Sequence, residues 1–178
     1  MLKAGKIFKF DVNIKGEPPP TVTWLLVNKE VITEDNVEVI NVEYNTKLNV
    51  IDAKRKNSGV YKIVAVNEHG KDEAEVEVVV LAAPSKPKGP LKVSDVTKSG
   101  CKLAWQPPED DGGKPITFYK IFWDAGTGTN TFVASDPASV ASTESPPQVT
   151  IRTNIVAGQF YKFKVLAVNE IGDGQLSP

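Results

Sequence analysis

The chain is poor in cysteine and histidine. Its 178 residues include a single cysteine, Cys101, and a single histidine, His69. One thiol cannot form a disulfide within the chain, and one Cys with one His falls short of the usual zinc ligand set. Cys101 alternates with Leu103 and Trp105, which predicts a buried small hydrophobe rather than a nucleophile, while His69 is expected in a solvated turn. We therefore predict no catalytic, cofactor or metal site.

An excess of charge of one sign and long apolar runs are also missing. The formal net charge is −1, too small to create a strong field toward nucleic acid or a membrane surface. No apolar run approaches the roughly 20 residues that span a bilayer, and the N-terminal sequence lacks the apolar block of a signal peptide. Hydrophobic residues make up 40% and charged residues 24% of the chain, as in a folded globular protein. Nucleic acid, membranes and small-molecule substrates are therefore not expected partners.

Two stretches of the chain nearly repeat each other. Residues 61–70 read YKIVAVNEHG, and residues 161–172 read YKFKVLAVNEIG. Their alternation of apolar with other residues predicts strands, because side chains alternate faces along a strand. The second copy is longer by two residues, so each inward residue stays inward. The Asn-x-x-Gly ending predicts a hairpin turn with left-handed backbone. The repeated tyrosines lie 100 positions apart, about the length of one β-sandwich, which indicates two sandwiches in tandem.

The same period of two predicts further strands on either side of a proline-rich segment. In the first half they cover residues 8–14, 22–26, 37–39, 48–50 and 72–81, and in the second half residues 91–96, 101–105, 119–123 and 149–151. We expect a hairpin loop at 124–130 and a long surface connection at 135–147. The prolines of residues 82–89 favour an extended, stiff linker. The prediction is an all-β protein with two β-sandwich domains, at residues 1–81 and 90–178.

The first half resembles the immunoglobulin I-set pattern. That pattern places a core tryptophan before the motif D-S-G-x-Y-x-C, and here Trp24 precedes residues 57–63, which read NSGVYKI. Asn57 stands in place of the aspartate, Ile63 in place of the second cysteine, and Val12 at the position of the first cysteine. The resemblance implies a sandwich without its disulfide, in which these two apolar side chains fill the gap by burial. Such a chain suits a reducing compartment, the cytosol.

The second half resembles fibronectin type III domains. Trp105 lies in an early strand, residues 112–116 read GGKPI, and Ile155-x-x-Gly158-x-x-Tyr161 precedes the second repeat. Residues 86–116 are also similar to the immunoglobulin-to-fibronectin junctions of the giant muscle proteins in the twitchin, projectin and titin group. We expect a tyrosine corner at each repeated tyrosine, with its ring in the core and its hydroxyl bonded to upstream backbone. The predicted core residues are Val12, Trp24, Tyr61, Ile63, Cys101, Trp105, Tyr161 and Phe163.

The muscle resemblance implies a non-enzymatic function. The expected protein is an intracellular segment of a long immunoglobulin and fibronectin array in the sarcomere, associated with the thick filament. It would bind filament proteins, myosin by resemblance, and neighbouring domains, and act as a scaffold, ruler or elastic strut without a cofactor. The alternative is a fragment of a cell-surface adhesion or receptor ectodomain, which predicts disulfides and glycans. The first strand of the first domain and the last strand of the second are expected to be short or absent, leaving open edges.

Overall fold

The computed structural model describes residues 1–124, 132–141, 145–153, 156 and 158–178. These residues divide into two compact units, Met1–Ala82 (unit 1) and Ala83–Pro178 (unit 2). Both units are built mainly from antiparallel strands, and the described residues contain one 3₁₀ turn and no α-helix. The all-β prediction is therefore confirmed.

Unit 1 contains two sheets and one short parallel pair. Its strands are β1 (Leu2–Lys3), β2 (Phe8–Asn13), β3 (Thr21–Leu26), β4 (Lys29–Glu30), β5 (Val37–Val42), β6 (Asn45–Val50), β7 (Gly59–Asn67), β8 (Gly70–Val78) and β9 (Val80–Leu81). One sheet has the order β2-β6-β5 and the other the order β4-β3-β7-β8. The remaining strands, β1 and β9, pair in parallel.

The core of unit 1 combines the apolar faces of both sheets. In β2 the alternation of Phe8, Phe10 and Val12 with polar residues turns three apolar side chains inward. Phe10 stacks on Trp24 with 5.6 Å between ring centroids, and Phe8 meets Tyr61 edge-on at 5.8 Å. Aromatic pairs at such separations add about 0.5–1.5 kcal/mol beyond the area that they bury. In a chain with one cysteine, this packing has to hold the sheets together without a disulfide.

Unit 2 repeats the arrangement with different strands. They are β10 (Pro87–Thr97), β11 (Gly100–Pro108), β12 (Phe118–Asp124), β13 (Val133–Ala141), β14 (Gln148–Arg152), β15 (Lys162–Asn169) and β16 (Gly172–Asp173). One sheet has the order β10-β11-β14 and the other the order β13-β12-β15-β16. Their apolar faces form a buried cluster made of Cys101, Leu103, Trp105, Tyr119, Ile121, Val149, Ile151, Val165 and Ala167.

The segment 135–147 contains a strand that the sequence pattern does not reveal. We predicted a surface connection there, which is wrong, because β13 extends to Ala141 and pairs with β12. Strand β13 lies at the edge of its sheet and most of its residues are exposed, so its sequence needs no apolar alternation. Pro137 is tolerated because it lies where the register with β12 is irregular, between Lys120 and Phe122.

Three other boundaries differ from the predicted ones. The strand predicted at 72–81 is interrupted after Val78, where the chain leaves the ladder with β7 and β9 begins to pair with β1. The predicted linker at 82–89 overlaps β10, an edge strand that tolerates its prolines. The loop predicted at 124–130 begins with the last residue of β12, and the rest of it lies outside the described residues. The first and last strands, β1 and β16, are two residues long.

Candidate functional site

Among the described residues, no three His, Cys, Asp or Glu side chains are grouped so that they could hold a metal ion. No helix in this part of the chain is long and apolar enough to cross a membrane. Burial raises the pKa of the Cys101 thiol, which disfavours the reactive thiolate. His69 is exposed in the turn between β7 and β8, 3.5 Å from Glu68. The candidate site is instead a framework of hydrogen bonds that ties strands together.

Strands β1 and β9 form a parallel pair at the two ends of unit 1. The Leu2 amide donates to the Val79 carbonyl at 2.9 Å, and the Ala4 amide donates to the Leu81 carbonyl at 2.8 Å. Because the strands are parallel, tension applied before β1 and after β9 pulls them past each other along their length. Such a load falls on both hydrogen bonds together. We call β1, β9 and these bonds the terminal clamp.

The segment between β6 and β7 holds both strands of the terminal clamp. Next to β1, the Gly5 amide donates to the Ala53 carbonyl at 2.8 Å. Within β9, the Val80 carbonyl accepts from Arg55 Nη1 at 2.7 Å, and the Val80 amide donates to Ser58 Oγ at 2.9 Å. The clamp is therefore attached to the rest of unit 1 on both of its strands.

Tyr61 joins the same segment to the core. Its ring is buried, and its hydroxyl donates to the Asn57 carbonyl at 2.7 Å. The Asn57 Oδ1 atom accepts from the Lys54 amide at 2.8 Å and from Asn36 Nδ2 at 3.0 Å. Asn36 Nδ2 also reaches the Asp52 carbonyl at 3.2 Å. Burial raises the pKa of Tyr61 to about 12, so the hydroxyl keeps its proton and its hydrogen bond at neutral pH.

Asn57 and Asn36 form an amide pair with exposed fractions of only 3% and 8%. An aspartate, as in the I-set pattern, would place a charge in this buried position, whereas the amide supplies the same acceptor oxygen without one. Asn36 was not among the predicted residues. It lies before β5, outside any alternating pattern, so the sequence contains no signal for it.

The two core tryptophans differ in their polar contacts. Trp24 Nε1 donates to Thr46 Oγ1 at 2.9 Å, and this hydroxyl donates to Asn41 Oδ1 at 2.5 Å. Trp105 Nε1 is buried without a hydrogen-bond partner among the described residues. Thr46 is fully buried, and sequence reasoning missed it because threonine is also common on exposed strand faces. A polar residue opposite Val12 in the β2–β6 ladder is the only signal that could have found it.

The structure places the eight predicted core residues at different depths. Trp24, Tyr61, Cys101 and Trp105 are buried. Val12, Ile63 and Phe163 are half-buried and pack against the two clusters. Val12 and Ile63 also line a cleft of about 310 Å³ that reaches β8. Apolar burial at the positions of the two missing cysteines is therefore partial.

Tyr161 differs from its counterpart in the first repeat. Its ring stacks on Trp123, with centroids 5.9 Å apart and an angle of 5° between the planes. Its hydroxyl accepts from the Val156 amide at 3.0 Å and donates to Gln159 Oε1 at 3.2 Å. The hydroxyl thus contacts upstream backbone, but the half-buried ring lies outside the buried cluster of unit 2, contrary to the prediction of a core ring.

An asparagine side chain holds the turn after each repeat. Asn67 Oδ1 accepts from the His69 amide at 3.0 Å, and Asn67 Nδ2 donates to the Pro18 carbonyl at 3.1 Å. Asn169 Oδ1 accepts from two turn amides at 2.9 and 3.2 Å, and Asn169 Nδ2 donates to the Asp111 carbonyl at 2.7 Å. In both units the hairpin is therefore tied to an earlier loop, the one before β3 or the one before β12.

These turns do not use the backbone in the predicted way. Neither asparagine has a positive φ, nor does Gly70, whereas Gly172 has φ of 153°. A hairpin turn follows each repeat as predicted, but of these four residues only Gly172 has the positive φ that the Asn-x-x-Gly ending was expected to supply. The asparagines act through their side chains, which bond to backbone amides two residues ahead, as Asn does in Asx turns.

Family comparisons agree with this geometry. Residues 1–80 match the family model described as immunoglobulin I-set domain, and residues 83–178 match the one described as fibronectin type III domain. The chain is an I-set immunoglobulin domain followed by a fibronectin type III domain. Unit 1 is the immunoglobulin domain, and unit 2 is the fibronectin domain.

The tandem is similar to proteins of muscle. It is 30% identical to a protein named titin from Drosophila melanogaster over 174 aligned residues. The aligned region makes up 98% of this chain and 1% of that protein. It is also 30% identical to fast-type myosin-binding protein C from Homo sapiens over 175 aligned residues, which make up 98% of this chain and 15% of that protein. A crystal structure of domains A168-A170 from titin matches with a TM-score of 0.52 at 28% identity, covering 99% of this chain and 57% of that one. These relatives are structural muscle proteins, and this chain spans only a small part of their length.

Proposed function

We propose that the chain is a non-enzymatic structural segment of a long intracellular array, associated with the thick filament of the sarcomere. It binds filament proteins, myosin among them, and neighbouring immunoglobulin and fibronectin domains. In this role it serves as a scaffold, a ruler or an elastic strut. Similarity to titin and to myosin-binding protein C supports the muscle assignment, and the terminal clamp is the observation that carries the mechanical part.

The terminal clamp suits a domain that carries tension. In an array, force enters the immunoglobulin domain through its two ends, which are β1 and β9. A hairpin pulled at its open end loses its hydrogen bonds one after another, whereas the bonds of Leu2 and Ala4 share the load. The side chains of Arg55 and Ser58 hold β9 in place during loading. We therefore expect this domain to unfold at a higher force than a domain whose terminal strands form a hairpin.

Single-molecule stretching of the chain tests the load-bearing role. Ala4→Pro removes the amide that donates to Leu81, so the peak unfolding force of the immunoglobulin domain should fall while that of the fibronectin domain stays the same. Thr46→Val is the matched control, because it removes a buried hydrogen bond far along the chain from the clamp. This control should lower the free energy of unfolding with little change in the peak force. Equal loss of force in both variants would contradict the load-bearing role.

Cosedimentation with myosin filaments tests the proposed partner. Copies of the chain joined in tandem raise the apparent affinity through multivalency, so a triple copy should pellet with myosin filaments more than a single copy does. Actin filaments serve as the control polymer. If the triple copy stays in the supernatant with myosin at physiological salt, the myosin proposal is wrong, whatever the stretching experiment shows.

A further inference from the structure

The sheet β10-β11-β14 of the fibronectin domain turns one face away from the buried cluster of unit 2. Alternate residues of β11 and β14 belong to that cluster, so the residues between them point outward. Lys102 is one of these outward residues in β11, and Thr150 and Arg152 are two of them in β14. In β10, Lys92 lies opposite Ala104 of β11 and therefore shares its outward face.

Three positive charges cross this outward face on a diagonal. Lys92 of β10 lies opposite Ala104, which is two residues from Lys102 in β11. Lys102 in turn lies opposite Thr150, which is two residues from Arg152 in β14. Diagonal neighbours of this kind in an antiparallel sheet are about 7–8 Å apart. We call Lys92, Lys102 and Arg152 the basic diagonal.

No acidic side chain of the described residues neutralises the basic diagonal. Within that part of the chain, no carboxylate oxygen lies within 4.0 Å of its charged nitrogens. Lys88, near the start of β10, shows the contrast, because its Nζ atom lies 2.9 Å from Glu109 Oε1. Asp95 lines a cleft together with Lys102 and Arg152, but it lies where the register of β10 is irregular and forms no ion pair with them. The three charges are therefore available to an acidic partner.

The surface around the basic diagonal is open and consists of short side chains. Ser94 and Thr150 flank Lys102 on the neighbouring strands, and Ala104 is the next outward residue of β11. Lys102, Thr150 and Arg152 line two clefts, of about 540 and 350 Å³. An extended chain can therefore approach the charged groups closely, because no large side chain lies between them.

The spacing of the basic diagonal matches that of an extended acidic segment. Along an extended chain, every second side chain points to the same face, and these side chains are about 6.5–7 Å apart. Acidic residues at three alternate positions can therefore meet the three cations one to one. Adjacent acidic residues cannot, because neighbouring side chains point to opposite faces. Such charge complementarity determines which segment binds, and in which register, more than it raises affinity.

We propose that the basic diagonal is a docking surface for an extended segment of a partner protein in which every second residue is acidic. The segment crosses β10, β11 and β14 obliquely, with one carboxylate on each cation, and it lies on the face of the sheet without adding a strand. The contact is weak and sensitive to salt, because its ion pairs are exposed. This inference goes beyond the load-bearing role, and its test does not depend on the outcome of the myosin experiment.

Titration of the whole chain with a short peptide tests the docking surface. The probe is TETETET, followed through the backbone amide signals of the chain by NMR at low ionic strength. We expect saturable shifts at the amides of Lys102 and Thr150. The control peptide TTEEETT has the same composition and charge, but it can turn only two glutamates to one face. It should bind about two- to fivefold more weakly, the equivalent of one exposed ion pair.

Charge reversal on the chain identifies the residues that bind. Lys102→Glu replaces an attraction with a repulsion and should weaken binding of TETETET about threefold or more. Lys29→Glu, an exposed position in β4 of the immunoglobulin domain, is the matched control with the same change in net charge and should bind like the wild type. The triple variant Lys92→Glu, Lys102→Glu and Arg152→Glu should bind TKTKTKT and not TETETET. This exchange of preference also shows that the variant is folded.

Four outcomes would overturn the proposal. The first is an absence of binding up to millimolar peptide, and the second is equal binding of TETETET and TTEEETT, which would indicate a general attraction to negative charge. The third is tighter binding of a short oligosaccharide with three sulfate groups, which would assign the surface to a polysaccharide. The fourth is self-association in sedimentation of the chain alone that Lys102→Glu abolishes, which would assign the surface to a second copy.

Discussion

Tyr61→Phe is the most direct test of how the immunoglobulin domain is held together. The substitution keeps the buried ring and removes only the hydroxyl that donates to the Asn57 carbonyl at 2.7 Å. A neutral hydrogen bond contributes about 1 kcal/mol net, and a buried carbonyl left without a donor raises the loss toward about 1–3 kcal/mol. We therefore expect the free energy of unfolding of this domain to fall by about 1–2 kcal/mol. For a domain of this size, about 1 kcal/mol corresponds to a fall in melting temperature of roughly 4–8 °C.

The assay has to report each domain separately, because a chain with two domains need not unfold in one step. Native-state amide hydrogen exchange measures the opening free energy residue by residue. The Trp24 backbone amide reports the immunoglobulin domain, and the Trp105 amide reports the fibronectin domain. In Tyr61→Phe, exchange at Trp24 should accelerate about five- to thirtyfold, the equivalent of about 1–2 kcal/mol, while exchange at Trp105 stays the same.

Tyr161→Phe is the matched control in the same chain. The Tyr161 hydroxyl has two partners but is exposed, so water can replace it and the fibronectin domain should lose less than about 0.5 kcal/mol. Losses of equal size in the two variants, each within its own domain, would refute the conclusion that burial distinguishes the two tyrosines. An unchanged immunoglobulin domain in Tyr61→Phe would refute the role of the Asn57 bond itself.

Two further predictions concern the same network. The pKa of Tyr61 is raised to about 12 from an unfolded value near 10, so the unfolded chain loses this proton first. Stability from this group is complete below pH 10 and falls as the pH rises through 12, by up to about 2–3 kcal/mol; denaturant titrations at pH 8 and 11.5 should show a smaller fall in Tyr61→Phe than in the wild type. Asn57→Ala removes the acceptor for Lys54 and Asn36 and should cost about 2–3 kcal/mol in the same titrations at pH 7. Asn57→Asp buries a charge, but its carboxylate still accepts from both donors, which offsets part of that cost, so the loss of stability should be smaller than in Asn57→Ala.

Strands with one buried face were predictable from the sequence because burial imposes a period of two. Strand β2 shows this directly, since Phe8, Phe10 and Val12 face the core. An edge strand such as β13 has no such constraint, because its residues are mostly exposed and its pairing depends on backbone groups that every residue carries. The sequence also does not reveal the break between β8 and β9, because the apolar pattern continues across it. Val78, Val79 and Val80 read as one apolar run, although the partner changes from β7 to β1 within it.

The polar part of the framework was beyond sequence reasoning. Trp24 was predictable as a core anchor, but its hydrogen-bond partner Thr46 lies 22 residues away on another sheet. Asn36 reaches Asn57 across 21 residues. Such pairs depend on how two sheets face each other, which a period of two along one strand does not specify. The asparagines of the two repeats could be identified in the sequence, but their side-chain hydrogen bonds to earlier loops could not be predicted.

The two repeats show how far similar sequence can determine a similar role. Tyr61 and Tyr161 stand at the same place in the two repeats, yet one ring is buried and the other is half-buried and stacks on Trp123. The two rings differ in what they pack against, because Tyr61 contacts Phe8 and Phe10 of the opposite sheet whereas Tyr161 stacks on Trp123 of β12, the strand paired with β15. Local sequence therefore determines that a strand forms and which face turns inward, and the neighbouring elements determine how deeply that face is buried.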